Sequence, residues 1–156
     1  MELLSMYQRQ LQILGYVLLA MLLGAVLGLD REIAHKPAGL RTHMLVAGAA
    51  ALLMGLGDVI LDRFDIHLGH TDVRSDPLRI IEAVITGVSF LGAGTIIRRS
   101  STDAVEGLTT AASLLFVAGV GMTVALSQWL LATGVTILAF ITLRVLHLIW
   151  PWSGLR

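Results

Sequence analysis

The sequence predicts an all-α protein, a polytopic transmembrane bundle of about five spans. Three observations predict it. Of 156 residues, 56% are hydrophobic and only 14% are charged, against roughly 25% charged in soluble domains. Mean hydropathy is +0.82, and a soluble fold of this size could not hide so much apolar surface. Apolar runs near 20 residues recur along the chain, the length a membrane helix needs. Finally, residues 108–143 carry no charge. At about 1.5 Å per residue they far exceed a hydrocarbon core of about 30 Å, so they fold back into two spans.

The first span is predicted at residues 11–29 and the second at 44–61, rich in Ala and Gly, with Asp58 near its far end. The third covers residues 78–97. The turn in the charge-free stretch is predicted at Ser127-Gln128, its one adjacent polar pair, which gives spans at 108–126 and 129–148. Trp129, Trp150 and Trp152 mark the interfaces of the last helix. No cleavable signal is expected: Glu2 is acidic, Arg9 alone is basic before the first span, and no small-residue cleavage site follows. The whole chain, residues 1–156, reads as one transmembrane domain without a soluble C-terminal domain.

Lys plus Arg equals Asp plus Glu, at 11 each, so no bulk charge points to nucleic acid. Cysteine is absent, which excludes disulfides and thiolate chemistry. One side of the predicted bundle holds Arg31, Lys36, Arg41, Arg98, Arg99, Arg144 and Arg156; the other holds Arg9, Arg63, Arg74 and Arg79. The excess of cations places the first set in the cytoplasm, the N-terminus outside and the C-terminus inside.

An offset of 68 residues aligns the chain with itself. Leu23, Gly24 and Ala25 match Leu91, Gly92 and Ala93, Arg31 matches Arg99, Gly39-Leu40 matches Gly107-Leu108, Thr42 matches Thr110, and Ala50 matches Ala118. Each half reads as helix, basic loop, Gly-Leu-x-Thr, helix. This predicts a parallel repeat of two hairpins, related by an axis along the membrane normal, with the fifth helix as an addition. Composition is the competing explanation, since Leu, Gly and Ala abound here, but the ungapped Gly-Leu-x-Thr tips favour a real repeat.

The densest polar segment is residues 30–43, from Asp30, Arg31 and Glu32 through Lys36-Pro37 to Gly39, Arg41, Thr42 and His43. Pro37 breaks helix and Gly39 supplies a turn. Thr42 is expected to cap the second span. Taken singly, Arg31, Lys36 and Arg41 read as interfacial charges; together the segment holds more opposed charge than a loop needs. Asp30 is expected to face the interior, with Arg98 as its partner, and Glu32 to face water. Asp76 and Pro77 fit the start of the third helix. Glu82, a turn inside it, is either paired with Arg79 or a functional acid. Gly24 and Gly28, and Gly87, Gly92 and Gly94, read as close-packing positions. The segment containing Asp62, Asp65, His67, His70, Asp72 and Asp76 could collect a divalent cation, but its spacing fits no regular metal loop and a solvated loop is the plainer reading. No phosphate loop, nucleophile elbow or His-Glu-x-x-His motif occurs.

Taken in order, these residues resemble the MgtC/SapB family of bacterial inner-membrane proteins over residues 22–121. The matching parts are Gly28-Leu-Asp-Arg-Glu32, Lys36-Pro-Ala-Gly-Leu-Arg-Thr-His43, Asp76-Pro-Leu-Arg79, Gly87-Val-Ser-Phe-Leu-Gly-Ala-Gly94, Arg98 and Gly107-Leu-Thr-Thr-Ala-Ala112, the last with Thr109 and Thr110. The resemblance implies about five spans, a cytoplasmic C-terminus, and a part in growth at low magnesium and in survival inside macrophages. It implies no enzyme activity and no cofactor, and it offers the F-type ATP synthase as a partner. The pattern departs at Asp30, where glutamate is common, and at Glu82-Ala83, where a neutral residue and a glutamine are usual.

Two functions follow as expectations. The first is a non-enzymatic membrane regulator that binds a partner through the Gly24–Gly28 face and residues 30–43, with homo-oligomers left open. The second is a small ion or solute transporter whose site lies between the repeats, built from Asp30, Arg31, Glu82 and Arg98. A regulator is expected to show those charges at an exposed surface, and a transporter to turn them inward onto a wet cavity.

Overall fold

A computed structural model describes residues 2–68, 78–99 and 104–149. The helices are α1 (Glu2–Ile33), α2 (Leu40–Leu68), α3 (Leu78–Gly94), α4 (Leu108–Ala125) and α5 (Trp129–Ile149). Four of them, α1 to α4, are long and apolar enough to cross a membrane, and the apolar part of α5, Trp129–Arg144, is shorter. The fold is an all-α bundle.

The α3–α4 connection corrects the expectation of a plain polar loop. It contains two short strands, β1 (Ile97–Arg99) and β2 (Ala104–Glu106), paired antiparallel with Arg98 opposite Val105. Pairing satisfies backbone groups that a bare loop would leave to water.

Helix α1 ends where His35 takes a left-handed φ of 51°. The Lys36 N–H then reaches the Arg31 carbonyl at 3.0 Å and the His35 N–H reaches Glu32 at 3.0 Å, the pairing of a Schellman motif. The turn at Ser127-Gln128 forms as expected and by the same device. Ser127 has φ 58°, Gln128 N–H meets the Thr123 carbonyl at 3.1 Å, and Ser127 N–H meets Val124 at 2.9 Å.

Close contacts fix the helix directions. A Cβ on Gly24 would lie 2.7 Å from the His43 carbonyl oxygen, and one on Gly55 would lie 3.2 Å from Ile13, so α1 and α2 run antiparallel. Gly121 abuts the Ala47 backbone and Ser113 meets His43, so α4 runs parallel to α2. Gly92, near the end of α3, packs on Ala111, near the start of α4, while Ile80, at the start of α3, packs on Gly57 far along α2, so α3 runs antiparallel to both α2 and α4. Gly24 on His43 and Gly92 on Ala111 are the same contact displaced by 68 residues, and Leu40 and Leu108 begin α2 and α4 at that same displacement. Gly107, before α4, has φ 94°, and a side chain there would strike the Thr95 carbonyl; glycine alone fits.

Helix α4 sits at the centre, touching α1, α2, α3 and α5. The core is small-residue and aliphatic: Ala47, Ala50, Ala51, Leu114, Val117 and Ala118 are buried. Larger apolar side chains face out, as Leu11, Leu14, Leu18 and Leu22 do along α1. This is membrane packing, in which small residues let backbones approach and lipid solvates the large ones.

Candidate functional site

The last turn of α1 carries Asp30 and Arg31, each 5% exposed. Both Nε (3.1 Å) and Nη2 (2.5 Å) of Arg31 donate to Oδ2 of Asp30. Oδ1 faces Nη1 of Arg144 from α5, at 3.5 Å. One carboxylate thus serves two guanidinium groups, and the trio carries a net charge of +1. Burying charges demands such pairing, because desolvation costs several kcal/mol per ion.

Asp30 therefore faces the interior, as its position suggested, but its partners are Arg31 and Arg144. Arg98 stands exposed on β1. Neighbouring Glu32 is exposed and plays a different part, its Oε2 accepting the Leu40 N–H at 2.9 Å. It caps α2 from the preceding helix, and a Cβ on Gly39 would overlap that carboxylate. The expected cap, Thr42, instead lies inside α2 and is exposed, because the helix begins two residues earlier, at Leu40.

His43, one turn into α2, is fully buried. Its Nδ1 lies 2.9 Å from the Gly39 carbonyl oxygen and its Nε2 lies 3.0 Å from Ser113 Oγ on α4. Ser113 Oγ is also 2.8 Å from the carbonyl of Thr110, itself buried. The ring ties the end of the connecting segment to the central helix.

The remaining predicted residues are not drawn into this cluster. Lys36 and Arg41 are exposed around it, and Thr109 is exposed at the start of α4. Arg79 and Glu82 are both exposed on α3, and no ion pair joins them among the described residues. They lie at the start of α3, the far end of the bundle from Asp30 at the end of α1, so Asp30, Arg31, Glu82 and Arg98 do not form one site. Asp76 lies outside the described residues, as do the side chains of Asp62, Asp65, His67, His70 and Asp72. Gly24, Gly28 and Gly92 are close-packed, but inside the chain rather than toward a partner. Among the described residues Gly87 and Gly94 meet nothing within 4 Å, so neither packs on a described neighbour.

Among the described residues, two cavities lie along the bundle. Beside Leu27, one turn before Asp30, an apolar cleft of about 380 Å³ opens between α4 and α5. At the opposite end, a more polar cavity of about 450 Å³ is lined by Arg9, Gln12, Tyr16, Asp58 and Ser127. Gly55 packs on Ile13; Asp58 is one turn beyond the first and Arg9 one turn before the second, so the two charges line the same level. Below them Tyr16 Oη lies 2.7 Å from Ser127 Oγ and takes a bond from Gln12. Sequence reasoning missed Arg144, Ser113, Tyr16 and Asp58 as site residues. Only Asp58, a charge inside an apolar run, carried a local signal.

Residues 17–150 match the MgtC family. The chain belongs to the MgtC family. The MgtC-family chain is 36% identical to YhiD of Escherichia coli K12, over 86% of its own length and 60% of that protein. It is 39% identical to MgtC of Salmonella typhimurium, over 78% of its length and 47% of that protein. It is 38% identical to SapB of Bacillus subtilis, over 67% of its length and 43% of that protein. The chain spans about half the length of these curated relatives. No solved structure matches it. Family membership and the four long apolar helices make it a multi-pass membrane protein.

Proposed function

We propose that this MgtC-family chain is a non-enzymatic regulator of the bacterial inner membrane, acting under low magnesium or host-cell stress by binding a membrane partner. The observation that carries this reading is the division of charge around residues 30–43. Asp30 and Arg31 are buried and consumed by each other and by Arg144. Glu32, Lys36 and Arg41 are exposed. A transport site would need those charges on a wet cavity, and the cleft beside them is apolar. The result is a braced turn that presents fixed charges to a partner, for which the family resemblance offers the F-type ATP synthase. The small-residue face of α1 is spent on α2, so the docking surface is the turn.

The test is growth at low magnesium of a strain that depends on this chain. Reversing Lys36 and Arg41 to Glu should abolish growth support while membrane abundance stays unchanged. Wild-type growth from that double variant overturns the reading.

A transport reading is favoured by the polar cavity at Asp58, and YhiD bears a provisional name as a magnesium transporter. Magnesium flux into proteoliposomes that is lost in Asp58→Asn would establish it in place of the regulator.

A further inference from the structure

The apolar cleft between α4 and α5 has a cation at one end. Leu27, Phe116, Val135, Leu138, Ala139 and Leu143 line it. Arg144 follows Leu143 directly, and its guanidinium reaches toward Asp30, one turn beyond Leu27. Arg144 is 55% exposed on its side chain, and its single ionic contact among the described residues is the 3.5 Å approach to Asp30. A guanidinium has five N–H donors, and 3.5 Å lies beyond ordinary hydrogen-bond length. Asp30 Oδ2 is already taken by Arg31. The surplus positive charge of the trio therefore sits at Arg144, the residue that follows Leu143 of the cleft lining.

The dimensions fit one kind of amphiphile. From Arg144 to Val135 the α5 helix rises about 14 Å at about 1.5 Å per residue. One leaflet of a bilayer with a core of about 30 Å is about 15 Å deep. We propose that this cleft binds one anionic phospholipid of the leaflet on the Asp30 side, with an acyl chain between α4 and α5 and its phosphate on Arg144. An acyl chain suits this mostly apolar lining, where Ser113 and Thr142 already bond within their own helices, and the phosphate neutralises the surplus charge. The lipid would then bridge α5 to the α1 end that carries the buried pair, holding the fifth helix against the repeat. This inference does not rest on the regulatory reading.

The experiment is native mass spectrometry of the full chain released from detergent, titrated with dioleoyl phosphatidylglycerol, dioleoyl phosphatidylcholine and glycerol 3-phosphate. The wild type should bind one phosphatidylglycerol about tenfold more tightly than phosphatidylcholine, the factor that roughly one charge-assisted hydrogen bond carries. Arg144→Gln should lose that preference and Arg144→Lys should keep it. Ala139→Phe, which fills the cleft, should lose both lipids. If Arg144→Gln does not fold, Ala139→Phe carries the test alone. The proposal is overturned if Arg144→Gln keeps the preference or if glycerol 3-phosphate binds as well as the lipid. It is equally overturned if Ala139→Phe leaves lipid binding intact, including the case in which it breaks a dimer and so marks the cleft as the seat of a second copy.

Discussion

The imidazole of His43 and the hydroxyl of Ser113 lie 3.0 Å apart, 70 residues from each other in the chain and buried between α2 and α4. Nδ1 faces the Gly39 carbonyl, which can only accept, so in the neutral ring Nε2 must accept from Ser113. The serine has one hydrogen and two claimants, since the Thr110 carbonyl is 2.8 Å away. Ser113→Ala removes the donor that Nε2 faces. Leaving that buried nitrogen unpaired should cost about 1–3 kcal/mol, seen as a lower melting temperature in detergent. Ser113→Thr, which keeps the hydroxyl, should cost less. Equal melting of Ser113→Ala and wild type would mean that the bond contributes nothing.

Asp30 and Glu32 make opposite demands on a neutral substitute. Asp30→Asn strands Arg31, 5% exposed, without its counter-charge; breaking a buried pair this way costs about 3–5 kcal/mol. Membrane abundance of Asp30→Asn should fall sharply. Glu32→Gln keeps an oxygen for the Leu40 N–H and should be mild. Immunoblotting of membranes against an internal standard measures both, and a harmful Glu32→Gln beside a silent Asp30→Asn would reverse the assignment.

Glycine substitutions should sort by contact rather than by sequence context. Alanine in a helix normally gains up to about 1 kcal/mol over glycine. At Gly24 the new Cβ would meet the His43 carbonyl oxygen at 2.7 Å, and at Gly121 it would overlap the Ala47 carbonyl; overpacking costs about 1–3 kcal/mol. Gly24→Ala and Gly121→Ala should therefore lower the melting temperature, whereas Gly87→Ala and Gly94→Ala, with no described residue within 4 Å of the new Cβ, should hold or raise it. A drop at Gly87 comparable with that at Gly24 would show that a further chain covers α3.

Topology is tested by reporter fusions. Fusions after Pro37 and Ser101 should report the cytoplasm, and one after Ser127 should report the opposite side. A periplasmic signal at Ser101 would contradict both the bundle order and the parallel repeat.

The legible parts of this chain were those that a local rule fixes. The α4–α5 turn followed from a charge-free stretch too long for one crossing, and the start of α4 at Leu108 followed from the end of the polar segment at Gly107. The inward set of Asp30 followed from its depth and short side chain. What escaped depended on distant packing. Thr42 was the nearest capping oxygen, but the oxygen that caps α2 comes from Glu32, which reaches Leu40 only because the chain doubles back at His35. Arg98 and Arg144 looked alike as interfacial cations. Which of them meets Asp30 is decided by α5 lying along α1, and no periodicity encodes that. Gly87 and Gly92 share one helix and one pattern, yet among the described residues Gly92 faces a neighbour and Gly87 does not.

The equal displacement of Gly24 on His43 and of Gly92 on Ala111 has a bearing on ancestry. A hairpin crosses the bilayer twice and returns the chain to the side it left. A tandem copy of its coding segment therefore inserts in the same sense as the first, with no change of flanking charge. Duplication of a unit with an odd number of crossings would instead have inverted the second copy and required its loops to exchange their basic residues. The architecture is thus one that a single copying event could reach without a non-viable intermediate, and the fifth helix is the part such an event leaves to be acquired separately.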